Sequence, residues 1–438
     1  MQNFKTGMTN WLIFNQPRLM FSAILVFAAI LISGQVLADY RTQAKRIHDR
    51  LAGVVPSNTV LDSMEDFIDP TKPGTAIDAA YLAMQNKHFF NATLVNFITP
   101  WTNEARAVFP EDMDSQGILN DYTATVIGII RDDEDFRKIL YDDVLYIGNT
   151  SLPQLSTAYS YSSNAHYKEL EESGLNLGFV ENPNPLVVGA TDVLLRVSQA
   201  SQPGAVLSSA DTAGVMTTRA AAKAFFVDGT NRAMFRFTVL NHLCEDMEQL
   251  KDNTLPADHI RQDVSRSPGG DSRIFMNTCI GCHTGMDPMT QAFAYYDYSY
   301  PMNGNEPDYA NGEMVFTNNV VQQKNLINPD NFKPGYIVTD DKWVNYWRQG
   351  KNYLLGWNST DLTGNAGKGS GAKSMGQELA FTNAFARCQV EKVFKAVCLR
   401  PAGNTADRAA VDSILANFSS GYKLKQVFAE TADYCKGP

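Results

Sequence analysis

The sequence predicts a mainly α fold: a helical N-terminal region, then a domain with long loops around one Cys-x-x-Cys-His pentapeptide, then a C-terminal three-helix segment. Three observations predict it. Apolar residues recur at i, i+3, i+4 and i+7 on both sides of the pentapeptide. The last 55 residues hold three such patterns separated only by short Pro- and Gly-bearing turns. Cys279, Cys282 and His283 fall at the spacing that puts three side chains on one face of a single helical turn.

The chain begins with Lys5 and Arg18, a nearly uncharged apolar run over 19–33, and Val36-Leu37-Ala38 before Asp39. This is the layout of a secretory signal peptide cut after Ala38. Because the run is close to the ~18–20 residues that span a bilayer, residues 1–38 also read as an uncleaved N-terminal membrane anchor. Both readings place the rest of the chain outside the cytoplasm, periplasmic or exported. Removing 1–38 removes Lys5 and Arg18 from 37 basic residues and none of 47 acidic ones, so the net charge moves from −10 to −12. That acidity argues against nucleic acid and anionic membrane surfaces as partners and suits a basic redox partner protein.

Two regions follow the leader: 39–251, a helical N-terminal domain, and 252–438, which carries the pentapeptide and the C-terminal helical bundle. Helices are expected over 41–51, ending before Gly53, over 61–67, and from Asp78 to Phe97. Asp121 is expected to cap a helix bearing Tyr122, Val126, Ile129 and Ile130, and the acidic run Asp132–Asp135 reads as a solvated helix start before Phe136, Ile139 and Leu140. Residues 149–218, rich in Ser, Asn, Gly and Pro, read as irregular with short helices around 167–172 and 192–198. A longer helical stretch runs from Thr217 to about Lys251, broken at Gly229-Thr230-Asn231.

Residues 252–272 are a polar connector into Cys279-Ile280-Gly281-Cys282-His283. C-x-x-C-H is the attachment signature of a c-type haem, in which each cysteine forms a thioether and the histidine becomes the proximal iron ligand. With six cysteines and six histidines, such a pattern arises by chance roughly one time in a thousand. A zinc site would need a second ligand pair at short range, and no Cys or His lies between His283 and Cys388. The domain is therefore expected to be cytochrome-c-like, with one covalent haem c. Asp287-Pro288 reads as an N-cap followed by proline at the first position of a new helix carrying Ala292, Phe293, Tyr295, Tyr296 and Tyr298. Residues 300–374 read as long loops around the haem pocket.

In the C-terminal segment, Val390, Val393, Phe394 and Val397 repeat at helical spacing, as do Val411, Ile414, Leu415 and Phe418, and then Leu424, Val427 and Phe428. Four cysteines remain, Cys244, Cys388, Cys398 and Cys435, an even number in an oxidising compartment. They allow three pairings, and sequence alone does not choose among them. Helix order favours Cys398 with Cys435, at matching ends of the first and third helices, and Cys244 with Cys388.

The residues Cys279-x-x-Cys282-His283, Met286-Asp287-Pro288, Ala292-Phe293 and Asp297 resemble the planctomycete-type cytochrome domains, exported mono-haem c-type proteins of mostly unassigned function. Arg232, Leu243-Cys244, Phe385–Cys388, Leu399-Arg400-Pro401 and Gly421-Tyr422-Lys423-Leu424 also resemble that family, and Ile47–Leu51 and Asp121-Tyr122 fit its longer members. The chain departs at Tyr295-Tyr296-Asp297, where many members carry Glu-x-Phe-Asp. The resemblance implies haem binding and a mostly helical structure, and supplies no reaction.

Function turns on the ligand opposite His283. Met314 and Met302 are the leading distal candidates, with His242 behind them. A methionine there gives a six-coordinate iron suited to electron transfer. An open site beside a polar group, with Tyr295, Tyr296, Tyr298 or His242 moving protons or radicals, would instead make a haem enzyme of peroxidase or oxygenase type. A third reading is a haem-bearing structural or docking subunit of an envelope complex, given the length of helical chain ahead of the motif. No G-x-S-x-G, H-E-x-x-H or phosphate-binding glycine loop is present.

Overall fold

The computed structural model describes residues 39–103, 119–178, 192–227, 229–308, 311–326, 332–358 and 366–437. The expected leader, 1–38, lies outside them. The described chain is mainly helical, and no helix in it is long and apolar enough to cross a membrane.

Three helices open the fold: α1, Tyr40–Ala52, α2, Asn58–Ile68, and α3, Ala76–Ala83. Each start has a side-chain cap for its unpaired N–H groups. Asp39 accepts from Thr42 N at 2.7 Å, Ser57 accepts from Val60 N, and Thr75 forms a capping box with Asp78. α1 ends at Gly53, whose φ of 70° is the left-handed conformation that glycine adopts without steric cost. Its buried Ala44, Ile47, His48 and Leu51 follow the helical period. Beyond α3 the chain does not continue as one helix. A π-helical turn, Phe89–Leu94, precedes two single turns, Val95–Ile98 and Pro100–Asn103.

Helix α4, Asp121–Arg131, is capped by Asn120, which accepts from Thr123 N at 2.9 Å. The expected cap, Asp121, has another role. Its carboxylate accepts Arg219 N at 2.6 Å and Ala220 N at 3.0 Å and so satisfies the start of α6, Arg219–Phe225. α4 is buried along its whole length, so its first-turn carboxylate faces protein rather than water. The acidic run ends as Asp135 accepts Arg137 N at the start of the 3-10 turn Phe136–Leu140. Strands β1, Leu145–Gly148, and β2, Leu194–Val197, pair antiparallel with Leu145 opposite Val197, and α5, Ala165–Glu172, lies against β1. The expected short helix over 192–198 is therefore a strand. Pairing with β1 supplies its backbone partners, and Arg131 Nη1 adds a bond to Leu194 O at 2.9 Å.

Asn231, at φ 61°, breaks the next helical stretch and begins α7, Arg232–Leu243. After the motif helix come short pieces: β3, Tyr296–Ser299, pairs with β6, Glu313–Phe316; β4, Met302–Asn303, with β5, Glu306–Pro307; and β7, Lys342–Val344, with β8, Lys368–Ser370. Four helices then close the fold: α9, Gly371–Ala380, α10, Asn383–Cys398, α11, Thr405–Phe418, and α12, Leu424–Tyr434. The last three carry the expected apolar stripes, with Val390, Val393, Phe394, Val397, Val411, Ile414, Phe418, Leu424, Val427 and Phe428 all buried.

One apolar core runs from Ala44 to Ala432 and takes side chains from both sides of residue 251. α1 and α3 pack against α12, and α7 packs against α10. Two disulfides tie this arrangement, Cys244–Cys388 with Cα atoms 5.3 Å apart and Cys398–Cys435 with 5.6 Å. Both pairings follow the helix order.

Candidate functional site

The pentapeptide lies on one continuous helical path. Asp271 caps a first turn, Ser272–Ile274, a π-helical turn follows over Phe275–Cys279, and α8 runs from Ile280 to Thr290. Wide turns of this kind re-aim side chains and recur at functional sites. Here the wide turn ends on the first cysteine.

The buried side of α8 is built for close approach. Asp252 N donates to Gly281 O at 2.9 Å, and Thr284 Oγ1 donates to Asp252 O at 2.9 Å. A Cβ on Gly285 would overlap the Trp347 indole, itself fully buried between Phe235 and Trp357. With Gly281, Thr284 and Gly285 held inside, Cys279, Cys282 and His283 stand on the partly exposed face.

The two motif thiols are free, whereas the other four cysteines are all paired. Cys279 rests against the small cluster Ile260, Val264 and Phe275. Cys282 Sγ lies 3.4 Å from Met247 O, and burial pushes its thiol up.

His283 Nδ1 is 3.0 Å from Asp287 Oδ1, one helical turn on. Asp287 is wholly buried. Arg232 grips it from α7, with Nε 2.7 Å from Oδ1 and Nη2 3.1 Å from Oδ2, and Arg261 N donates to Oδ2 at 3.1 Å. The same guanidinium donates to Asp263 at 2.6 and 2.9 Å. Burial alone would push the Asp287 carboxyl up, but Arg232 and the His283 bond outweigh it and hold the group well below the usual range. An ionised carboxylate only accepts, so His283 Nδ1 is the donor in this bond, and Nε2 is the ring nitrogen left to face a metal. Ligating histidines characteristically show this arrangement, their second nitrogen donating to a fixed carboxylate.

Asp287 is therefore not the N-cap of a new helix. α8 runs through Pro288, because the carboxylate is taken by Arg232, Arg261 and His283 instead of by backbone N–H groups ahead of it. The expected helix beyond it is a 3-10 turn, Gln291–Phe293, followed by strand β3. Pairing with β6 takes up the backbone of Tyr296–Ser299.

The structure gathers Cys279, Cys282 and His283 on one face. It does not gather the distal candidates there. Met302 is 63% exposed on the β4–β5 hairpin. Met314 is buried in the main core opposite Tyr298, on a strand that lies against β3 and α6. α8 instead packs against α7, the turn Met247–Leu250, β7 and the turn Tyr346–Arg348. His242 is buried with Nε2 2.7 Å from Tyr122 Oη, its ring edge-on to Trp101 and stacked over Phe385. Tyr296 donates to Asp211 O at 2.5 Å and Tyr298 to Gly312 O at 2.6 Å, so both hydroxyls are spent in the core.

Among the described residues, no set of three or more His, Cys, Asp and Glu side chains forms a cage for a metal ion. The donor set instead fits a covalent haem: two sulfurs outside any disulfide and an imidazole held through Nδ1, on one partly exposed helical face. The i, i+4 spacing of His283 and Asp287 was visible in the sequence as a helical pair. Arg232, Arg261 and Asp263 were not, because 55, 26 and 24 residues separate them from Asp287 along the chain. No protein-family model, curated protein or solved structure matches this chain.

Proposed function

We propose that this chain is an exported mono-haem c-type cytochrome that acts in electron transfer with a redox partner protein of the envelope. The observation that carries this reading is the open face of α8, where two free thiols and one carboxylate-oriented imidazole share a helical turn. The group it would hold supplies one-electron transfer between ferrous and ferric iron. The protein's part is to anchor and orient. Cys279 and Cys282 would hold the group through thioethers, each thiol adding across one vinyl group with its hydrogen passing to the neighbouring carbon, so that no oxidant is needed. His283 would hold the metal through Nε2, with Asp287 fixing the ring through Nδ1. The acidic chain suits a basic partner surface. The resemblance to planctomycete-type cytochromes supports the haem binding and supplies no reaction.

One observation favours a second reading, a haem enzyme with an open distal site: Met302 and Met314 both stand on elements other than those packed on α8. The absorption spectrum of the reduced protein, with and without carbon monoxide, separates the two. A sharp low-spin spectrum unchanged by the gas supports the carrier, and a gas-shifted Soret band supports the open site. Replacing Cys279 and Cys282 by serine should abolish covalent attachment. Haem that survives acid extraction from that variant would overturn both readings.

A further inference from the structure

We propose that Asp287 is a positioning residue that sets the reduction potential of the site through His283, and that Arg232 and Asp263 meter how much of its charge reaches the ring. This rests on the haem reading above. A neutral acceptor on Nδ1 would leave an ordinary imidazole. A buried carboxylate at 3.0 Å draws the Nδ1 proton and makes Nε2 a stronger donor. A stronger donor favours ferric over ferrous iron, so the wild-type potential is held low. Arg232 opposes this by gripping the same carboxylate through two bonds. Its grip is shared, because Asp263 accepts two further bonds from the same guanidinium. The main-chain N–H of Arg261 also bonds Asp287, and the Arg261 guanidinium lies 3.7 Å from Asp263. All of these groups are at least four-fifths buried, where charge is screened weakly.

An ion pair that only clipped α7 to α8 would have no need of His283. The test reads the difference. The full chain carrying its haem is titrated against redox mediators as wild type and as Asp287→Asn, which keeps the side-chain shape and removes the charge. The midpoint should rise, shifting the ferric-to-ferrous ratio against a fixed couple about ten-fold, which is ~59 mV for one electron. An unchanged or lowered midpoint overturns the proposal. If Asp287→Asn fails to fold or to load, Asp263→Asn replaces it. That variant leaves the His283 bond intact and removes the competing charge from Arg232, which also donates to Thr230 Oγ1, so more of the guanidinium charge falls on Asp287; a smaller rise is expected, and no rise overturns the proposal. A wild-type protein without covalent haem would instead refute the functional reading itself, which the alkaline pyridine spectrum shows before any titration.

Discussion

Removal of the Cys244–Cys388 disulfide should be the costliest single covalent change outside the motif. Closing a loop in the unfolded chain stabilises the folded state by an amount that grows with the logarithm of loop length. The two bridges join residues 144 and 37 apart. The loop-closure relation gives about 5 kcal/mol for the longer and about 4 kcal/mol for the shorter. The loops do not overlap, so the two effects should add. The longer bridge also has a local consequence. Cys244 ends α7, whose first residue, Arg232, holds Asp287, and its partner Cys388 lies in α10. Guanidinium unfolding of Cys244→Ala/Cys388→Ala and of Cys398→Ala/Cys435→Ala, followed by tryptophan fluorescence, reads both costs. The first pair should lose more stability than the second. The reverse order, or losses below about 1 kcal/mol for both, would refute the loop-closure reasoning.

Three further outcomes are expected. Gly285→Ala gains about 1 kcal/mol of helix propensity but forces a methyl group into the Trp347 indole, so it should lower stability by a net 1–2 kcal/mol, roughly; a thermal melt at or above wild type would contradict the packing. Burial pushes the Glu245 carboxyl up to about 7 although Trp357 Nε1 donates to it at 2.6 Å. The folded state thus binds this proton more tightly than the unfolded chain, and stability should fall as pH rises from 4.5 through about 7 and then level off. Glu245→Gln should flatten that fall in melts between pH 5 and 8, and an unchanged slope would assign it to other groups. Asp121→Ala should leave the start of α6 without its carboxylate partner and, with Asp121 fully buried, cost about 1–3 kcal/mol in denaturant titration.

The C-terminal helices were legible because their stripes are local. Val390, Val393, Phe394 and Val397 lie within eight residues, and their period is the helix's own. The disulfide order followed from those helices. Residues 192–198 failed as a helix because their backbone partners lie on β1, some 50 residues upstream. Asp121 and Asp287 misled in the same way. Each looks like a local cap, and each is claimed by donors far along the chain, Arg219 N for one and Arg232 for the other.

By itself the sequence determined the mainly helical character, the motif spacing that puts Cys279, Cys282 and His283 on one face, and which cysteines were left to pair. All of these depend on short-range geometry, a period of 3.6 residues or a count. Only the tertiary structure decided that α8 runs through Pro288, that Met302 and Met314 stand apart from it, and that Asp287 turns inward to His283 between Arg232 and Arg261. The physical reason is burial. A carboxylate removed from water must find its partners wherever the fold brings them, and no local pattern records that choice.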